Sequence, residues 1–116
     1  MGLVEISQTE GRVPVTIFHL QDRVNLGNYT ELEHAAKDAY ATGMRDLVID
    51  LSTTPSLTSI GVRALVVIHR MLSGSGNAKH LKLAGPIPYI REMLDVSGVT
   101  QYIEIYDTVD EAVASF

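Results

Sequence analysis

The sequence predicts an α/β fold: a mixed, mostly parallel β-sheet that opens with an N-terminal hairpin and carries about four helices. Two β-type runs begin the chain, helical and strand-like apolar patterns then alternate, and turn residues separate the segments. The predicted order is ββαβαβαβα. Alternating strands and helices favour parallel pairing, because each crossover returns over a face of the sheet. The length of 116 residues suits one hydrophobic core, so residues 1–116 are predicted to form a single domain.

The opening hairpin is predicted from two strand-like runs with a short connection between them. The runs are Leu3 to Gln8 and Val13 to Leu20, and the connection, Thr9 to Arg12, contains Gly11. Glycine adopts the positive φ angles that tight connections require, and alternating apolar runs on both sides of such a connection are typical of a hairpin.

The middle of the chain predicts a helix, a strand and a second helix. Apolar residues first recur at helical spacing, at Tyr29, Leu32, Ala35, Ala36, Ala39 and Tyr40. Gly43 ends this helix, as a C-terminal glycine commonly does. The apolar run Asp46 to Leu51 is too short for a helix and predicts a buried strand. Ser52 to Ser59 is a loop containing Pro and several hydroxyl residues, and a helix follows from Ile60 to Leu72.

The last third of the chain continues this alternation. Its predicted elements are a loop at Ser73 to Asn77, a strand at His80 to Ala84, a helix from about Pro88 to Val96, a strand at Tyr102 to Ile105 and a helix from Thr108 to Ala114. Asp107 is the predicted N-cap of the last helix, because its carboxylate can accept a hydrogen bond from a free backbone N–H.

Composition excludes several classes of function. The chain has no Cys, which excludes disulfide scaffolds, thiolate zinc sites, iron–sulfur clusters and Cys nucleophiles. Its net charge of −5 argues against a broad nucleic-acid surface, so no direct nucleic-acid partner is predicted. No apolar run approaches the ~20 residues that a membrane helix needs, and the N-terminal residues lack a basic flank before an apolar stretch. We therefore expect a cytoplasmic protein with no membrane partner.

Residue patterns typical of catalysis or metal binding are missing from the sequence. The four histidines form no i, i+4 pair and are predicted to be surface or half-buried residues: His19, His34, His69 and His80. There is no GxSxG motif, and Ser73 to Gly76 lacks the preceding strand and the following Lys-Ser/Thr of a phosphate-binding loop. No carboxylate pair is typical of an acid/base couple. The sequence predicts a protein that is not an enzyme and has no cofactor or metal.

The segment Thr58-Ser59 lies where a very apolar helix begins. In one interpretation Ser59 simply caps the helix, its oxygen accepting a bond from an unpaired backbone N–H, which is worth ~1 kcal/mol. In the other, the free N–H groups and partial positive charge of the helix N-terminus let Ser59 carry a phosphoryl group without unfolding. The residues alone leave both interpretations open.

The helix after Ser59 has an unusual outer face. A helical wheel assigns the core stripe to Gly61, Leu65, Ile68 and Leu72. The opposite side carries Arg63, Val66, Val67 and Arg70, so two valines are predicted to be exposed between two arginines. Either another part of the chain covers them, or they form a binding patch whose basic edges suit an acidic protein surface.

These residues carry a family resemblance. Asp50-Leu51-Ser52, then Thr58-Ser59-Ile60-Gly61 and an apolar helix resemble the STAS domain of bacterial anti-sigma factor antagonists, in which D-L-S leads to D-S-x-G at a helix start. Leu20 to Asn25 stands where that family usually has L-x-G-x-L-D, and Met93 to Val99 resembles its L-x-x-S-G-L segment. The resemblance spans nearly all of the chain and implies a STAS fold.

The resemblance implies partner switching. The Ser of the family's D-S-x-G segment is its phosphorylation site, which makes Ser59 the candidate phosphoacceptor. The implied partner is an anti-sigma factor of the serine kinase type, which binds the unphosphorylated protein and is released after phosphorylation. The predicted partner-binding residues are Asn25, Thr58, Ser59, Gly61, Arg63, Val66, Val67 and Arg70. The sequence departs from the family pattern at Asn25 and Thr58, where the family commonly has Asp, and at Asp22, where it commonly has Gly.

Two other functions stay open at this point. A STAS-type module that is never phosphorylated could serve as an interaction subunit of a transport or signalling complex. A small α/β hydrolase or nucleotide-binding enzyme could use Ser59, although no partnered His or oxyanion motif supports it. Monomer and weak dimer are both compatible with the sequence.

Overall fold

The structure, a computed structural model, describes residues 2–74 and 79–116. The strands are β1 Val4–Glu10, β2 Pro14–Leu20, β3 Leu47–Asp50, β4 Leu81–Ala84 and β5 Glu104–Tyr106. The helices are α1 Tyr29–Ala41, α2 Ser59–Ser73, α3 Pro88–Ser97 and α4 Val109–Ala114, with a short 3₁₀ helix at Val99–Gln101. The predicted order ββαβαβαβα is confirmed. Of the predicted loop Ser73 to Asn77, residues 75–77 lie outside the described residues.

The five strands form one sheet in the order β1-β2-β3-β4-β5. The hairpin strands β1 and β2 are antiparallel, and every other neighbouring pair is parallel. Each parallel connection contains a helix that crosses a face of the sheet, as parallel pairing requires. The predicted mixed, mostly parallel sheet is confirmed.

Both faces of the sheet are covered, because successive strand side chains point to opposite sides. On one face Phe18 and Ile49 join a large core formed with α1, α2 and α3. On the other, Ile17 and Val48 pack with Ala112 of α4 in a smaller cluster. The central strand β3 is therefore apolar at consecutive positions from Leu47 to Ile49, which is why its sequence reads as an unbroken apolar run.

Two strand boundaries differ from the prediction by two residues, and one predicted helix cap is wrong. The hairpin ladder continues to the pair Glu10 and Pro14, so β1 ends two residues later than predicted. Strand β5 begins at Glu104 rather than Tyr102, because the Tyr102 N–H donates to the Val99 carbonyl in the 3₁₀ helix. The N-cap of α4 is Thr108, not Asp107.

The hydrogen bonds at the start of α4 show why the prediction of Asp107 as its N-cap is wrong. The Thr108 Oγ1 accepts a hydrogen bond of 3.1 Å from the Glu111 N–H. The Asp107 carboxylate instead accepts a 2.9 Å hydrogen bond from Arg91 of α3. The local sequence favours Asp107 as the cap, but its carboxylate is bound by Arg91, a residue distant in the chain.

Candidate functional site

The candidate site lies where the loop after β3 enters α2. An isolated parallel bridge joins Val24 to Leu57 just before the helix. The Val24 N–H donates to the Ser56 carbonyl at 3.2 Å, and the Thr58 N–H donates to the Val24 carbonyl at 3.1 Å. These bonds fix the start of α2 against the segment that contains Asn25.

Ser59 is the first residue of α2, and the residue before it is the N-cap. The Thr58 side chain donates to the Val24 carbonyl at 3.2 Å, so it gives no cap bond to the helix. Ser59 is exposed, and no hydrogen bond among the described residues holds its hydroxyl. The interpretation of Ser59 as a simple cap is therefore wrong, and its hydroxyl is accessible from solvent.

Gly61 allows α2 to lie directly on the bridge beneath it. A Cβ atom at this position would be 2.6 Å from Leu57 Cδ1 and 3.1 Å from the Cβ of Val24. Such distances are shorter than carbon contacts allow. Gly61 is buried and faces the core, so it positions the exposed residues of α2 and is not itself on the outer surface.

A groove of about 450 Å³ lies between α2 and α3 and begins at Ser59. Its lining residues are Ser59, Val62, Arg63, Val66, Arg70, Met93, Ser97, Val99 and Tyr102. The fold thus brings together four of the predicted partner-binding residues in one groove. Asn25 and Thr58 lie next to its Ser59 end through the Val24 bridge, and Val67 is not part of its lining.

The two valines of α2 are less exposed than predicted. Both Val66 and Val67 are half-buried, and Val66 packs against the main core. Val62 and Ala64 are also buried, although the predicted core stripe omits them. The reason is that α1 packs against α2 on one flank while α3 and the 3₁₀ helix lie along another, so α2 buries a wider arc than a helix on a sheet alone.

The arginines of α2 give the groove its charge. Arg63 and Arg70 are exposed, and within the described residues neither lies within 4.0 Å of a carboxylate oxygen. No Asp or Glu lines the groove. The predicted pattern of an apolar surface with basic edges is thus present, although as a groove and not as a flat patch.

Asn25 forms a tight turn rather than presenting a free amide. Its Oδ1 accepts from the Gly27 N–H at 2.8 Å, and its N–H donates to Asn28 Oδ1 at 2.9 Å. Within this turn Leu26 is 77% exposed. Sequence reasoning missed Leu26, although an apolar residue inside a polar loop is a detectable signal of a contact surface.

A second polar arrangement was also missed. Ser7 Oγ lies 3.1 Å from His19 Nε2, and His19 Nδ1 lies 2.8 Å from Asp50 Oδ2, across β1, β2 and β3. Burial raises the pKa of Asp50, but hydrogen bonds from the Ser52 backbone N–H and from His19 outweigh it and lower the pKa below its ordinary value. Only the strand register brings these residues together.

This Ser–His–Asp chain resembles the connectivity of a hydrolase triad, whose activity also needs an oxyanion site and a substrate cavity. Neither the α2–α3 groove nor a larger groove of about 1180 Å³ between β1 and α1 is lined by Ser7, His19 or Asp50. The three side chains form a hydrogen-bonded link across β1, β2 and β3.

His69 lies on α2 behind the groove. Its ring centroid is 5.2 Å from that of Tyr102, and its Nδ1 is buried without a hydrogen-bond partner among the described residues. Burial lowers the pKa of His69, and the charges of Arg70 and Lys79 lower it further. The neutral imidazole is thus favoured.

In residues 2–74 and 79–116, no group of three or more His, Asp or Glu side chains is arranged to hold a metal ion. None of the helices in this part of the chain combines the length and apolar character needed to cross a bilayer.

Comparison with solved structures shows a shared fold. An anti-sigma factor antagonist from Mycobacterium paratuberculosis superposes with a TM-score of 0.82 at 22% identity, covering 97% of this chain and 91% of that one. The phosphorylated form of the Bacillus cell fate determinant SpoIIAA gives 0.70 at 15% identity, covering 97% of both chains. The murine solute carrier 26 member A9 anion transporter gives 0.69 at 17% identity, covering 85% of this chain and 17% of the transporter.

The sequence itself carries the family assignment. No curated protein matches it. A family model described as the STAS domain matches residues 7–112, which includes all of the sheet's parallel strands, the Ser59 turn and the α2–α3 groove. The chain therefore belongs to the STAS domain family.

Proposed function

We propose that this protein is a cytoplasmic anti-sigma factor antagonist that acts by partner switching. In its unphosphorylated form it binds an anti-sigma factor of the serine kinase type, and phosphorylation of Ser59 by that partner ends the complex. The observation that carries the proposal is the exposed Ser59 at the first position of α2, whose hydroxyl bonds to none of the described residues, beside a groove lined by apolar side chains and two arginines.

The position of Ser59 suits a switch that leaves the fold unchanged. A kinase needs a hydroxyl that reaches its nucleotide, and Ser59 is exposed. A phosphoryl group adds a charge of about −1.5 to −2, which the free N–H groups and dipole of a helix N-terminus stabilise. Because Ser59 borders the groove, the new charge changes the binding surface directly. The shared fold with the phosphorylated form of SpoIIAA supports this reasoning.

The proposed partner surface combines the groove with the turn at its Ser59 end. Arg63, Val66 and Arg70 would contact an acidic, partly apolar surface of the partner, and Val67 would extend that contact along α2. Asn25 and Thr58 would form the edge nearest the nucleotide. Charges of one sign around an apolar centre are typical of surfaces that select a partner by electrostatic complementarity.

The proposal is tested by incubating the protein with ATP and a purified anti-sigma factor of the serine kinase type. We expect the mass of one phosphate group to be added, located on Ser59 by peptide fragmentation and absent from Ser59→Ala. Ser56→Ala is the matched control, since it removes a neighbouring hydroxyl and should be phosphorylated as the original protein is. Labelling of Ser59→Ala, or none of the original protein, would contradict the proposal.

A second candidate function is a STAS subunit that is never phosphorylated and serves as an interaction module of a transport or signalling complex. The observation that favours it is the same fold occupying 17% of an anion transporter chain. Binding separates the two functions. A switch requires that Ser59→Asp weakens the complex while the circular dichroism spectrum is unchanged, whereas a constitutive module would bind both forms equally.

A further inference from the structure

The groove between α2 and α3 is a positively charged site on an acidic protein. The chain has fourteen Asp and Glu residues against nine Lys and Arg, yet the groove lining contains two arginines and no carboxylate. Several other cations are already engaged: Arg91 pairs with Asp107, and Lys79 and Lys82 pair with Glu104. Within the described residues, Arg63 and Arg70 have no such partner, so they are available to an anion.

Arg63 is the arginine that a group on Ser59 can reach. The two residues are four positions apart on α2 and both line the groove, so they share one helical face with Cβ atoms about 5–6 Å apart. Long side chains on a helix lean toward its N-terminus, which directs Arg63 toward Ser59. Arg70 is eleven positions from Ser59, or about 16 Å along the axis, and lies out of reach.

We propose that Arg63 is the internal receptor for the phosphate on Ser59. The inference rests on the proposed phosphorylation and adds its mode of action. The Ser59 oxygen bonds to the γ-phosphorus of ATP as the bond to ADP breaks, and the hydroxyl proton passes to a base of the kinase. The guanidinium of Arg63 then donates charge-assisted hydrogen bonds to the phosphate oxygens.

This pairing changes the groove in two ways at once. It removes Arg63 from any acidic group of a bound partner, because the guanidinium now satisfies a phosphate on its own chain. It also lowers the summed formal charge of the groove from positive to about zero, because the phosphate adds about −1.5 to −2 to the charges of the two arginines. Release of an acidic partner then follows from a local ion pair without a change of fold.

The test uses protein with phosphoserine inserted at position 59 during translation, which makes it independent of any kinase. The pKa of the phosphate is measured by phosphorus NMR in the original sequence, in Arg63→Gln and in Arg70→Gln. We expect the phosphate pKa to be about 0.2–0.4 unit higher in Arg63→Gln than in the original sequence, since a nearby cation stabilises the dianion. Arg70→Gln should change it by less than half as much, and Arg63→Lys should restore part of the difference.

Equal phosphate pKa values in the original protein and in Arg63→Gln would overturn the inference, as would an equal effect of Arg70→Gln. Circular dichroism and thermal unfolding of each variant exclude misfolding as the cause. Failure of the kinase assay alone would refute the proposed function and leave the ion pair standing. A phosphorylated Ser59 whose pKa does not depend on Arg63 would refute only this inference.

Discussion

At the scale of single residues, the same residue type has different roles according to what surrounds it. Ser59 is exposed and its hydroxyl bonds to no other residue that the structure describes, whereas Ser7 is joined to His19 and through it to Asp50. The Thr58 hydroxyl donates a hydrogen bond to the Val24 carbonyl, whereas the Thr108 hydroxyl accepts one from the Glu111 N–H. A hydroxyl near a helix start is therefore not evidence of capping until its partner is known.

Because of Asp50, the free energy of unfolding should depend on pH in the acid range. Its folded-state pKa is lowered from the ordinary value of 3.8, so the ionised form stabilises the fold above that value, and the contribution is lost as pH falls through the lower, folded-state pKa. We expect Asp50→Asn to lower the free energy of unfolding by about 1–2 kcal/mol at neutral pH, because charge-assisted bonds from Ser52 and His19 are weakened.

The measurement is urea unfolding of both proteins across the acid range. The difference between them should shrink as pH falls and Asp50 becomes protonated, and should be smallest at the most acid pH at which both proteins still fold. Asp95→Asn is the control, because Asp95 is exposed on α3 and its variant should track the original protein. A difference that stays constant with pH would show that Asp50 acts through packing and not through its charge.

At the scale of secondary-structure elements, α2 is the element on which the site depends. It is flanked by α1 and α3, lies on the sheet, and contacts the Val24–Leu57 bridge at Gly61. Its predicted core stripe is confirmed, since Gly61, Leu65, Ile68 and Leu72 are all buried. The rest of its buried arc depends on flanking helices, which a wheel drawn from the sequence of α2 does not contain.

Gly61→Ala should destabilise the protein although alanine is the better helix former. The added methyl group would meet Leu57 Cδ1 at 2.6 Å and the β-branched side chain of Val24 at 3.1 Å. Overpacking typically costs about 1–3 kcal/mol, and the gain in helix propensity of about 1 kcal/mol offsets only part of it. We expect a net loss of up to about 2 kcal/mol in the free energy of unfolding, measured in urea.

A double-mutant cycle identifies the cause of that loss. Leu57→Ala removes the nearest atom, so Gly61→Ala should cost less in the Leu57→Ala background than in the original sequence. Equal costs in the two backgrounds would mean that α2 does not press on Leu57 at this point. Ser59 labelling of the single variant would then report whether displacing α2 also disturbs the candidate site.

At the scale of the whole molecule, the distribution of charge matters more than its total. The chain carries −5 overall, but the α2–α3 groove presents two arginines without a carboxylate in its lining. A local field of this kind orients an acidic partner during approach and is screened by salt, whereas net charge mainly affects solubility. The affinity for the partner should therefore depend on the position of a charge substitution more than on the change in net charge.

Arg70→Glu and Lys37→Glu change the net charge by the same two units, from −5 to −7, but only Arg70 lines the groove. We expect Arg70→Glu to weaken binding to the anti-sigma partner by about tenfold or more, equivalent to ~1.4 kcal/mol. Lys37→Glu on α1 should bind as the original protein does. Calorimetry at two salt concentrations measures both, and equal losses for the two variants would place the acidic contact outside the groove.

Much of the fold could be predicted, because the strongest sequence signals are local. Strand β3 and helix α2 were predicted within one residue at each end, since an unbroken apolar run bounded by turn residues and a long apolar helix have few alternatives. The start of β5 was wrong because a 3₁₀ turn held by Val99 takes up Tyr102. That turn has no distinct signature in the sequence.

The candidate site was predictable only in part. Sequence pattern and resemblance indicated Ser59 and the arginines of α2, and the structure places them along one groove. The sequence did not indicate that Met93, Val99 and Tyr102 complete the groove. It also did not indicate the exposed Leu26 beside Asn25. These residues are distant along the chain, and their proximity depends on how α3 and the 3₁₀ helix lie against α2.

The sequence by itself determined the order of strands and helices, the STAS resemblance and the identity of Ser59 as the residue to test, because apolar periodicity and short motifs are properties of neighbouring residues. Only the tertiary structure decided that the Ser59 hydroxyl is exposed, that the half-buried Val66 lines a groove and that Ser7, His19 and Asp50 are joined. Hydrogen-bond partners and burial are set by the packing of residues far apart in the chain, which no local pattern specifies.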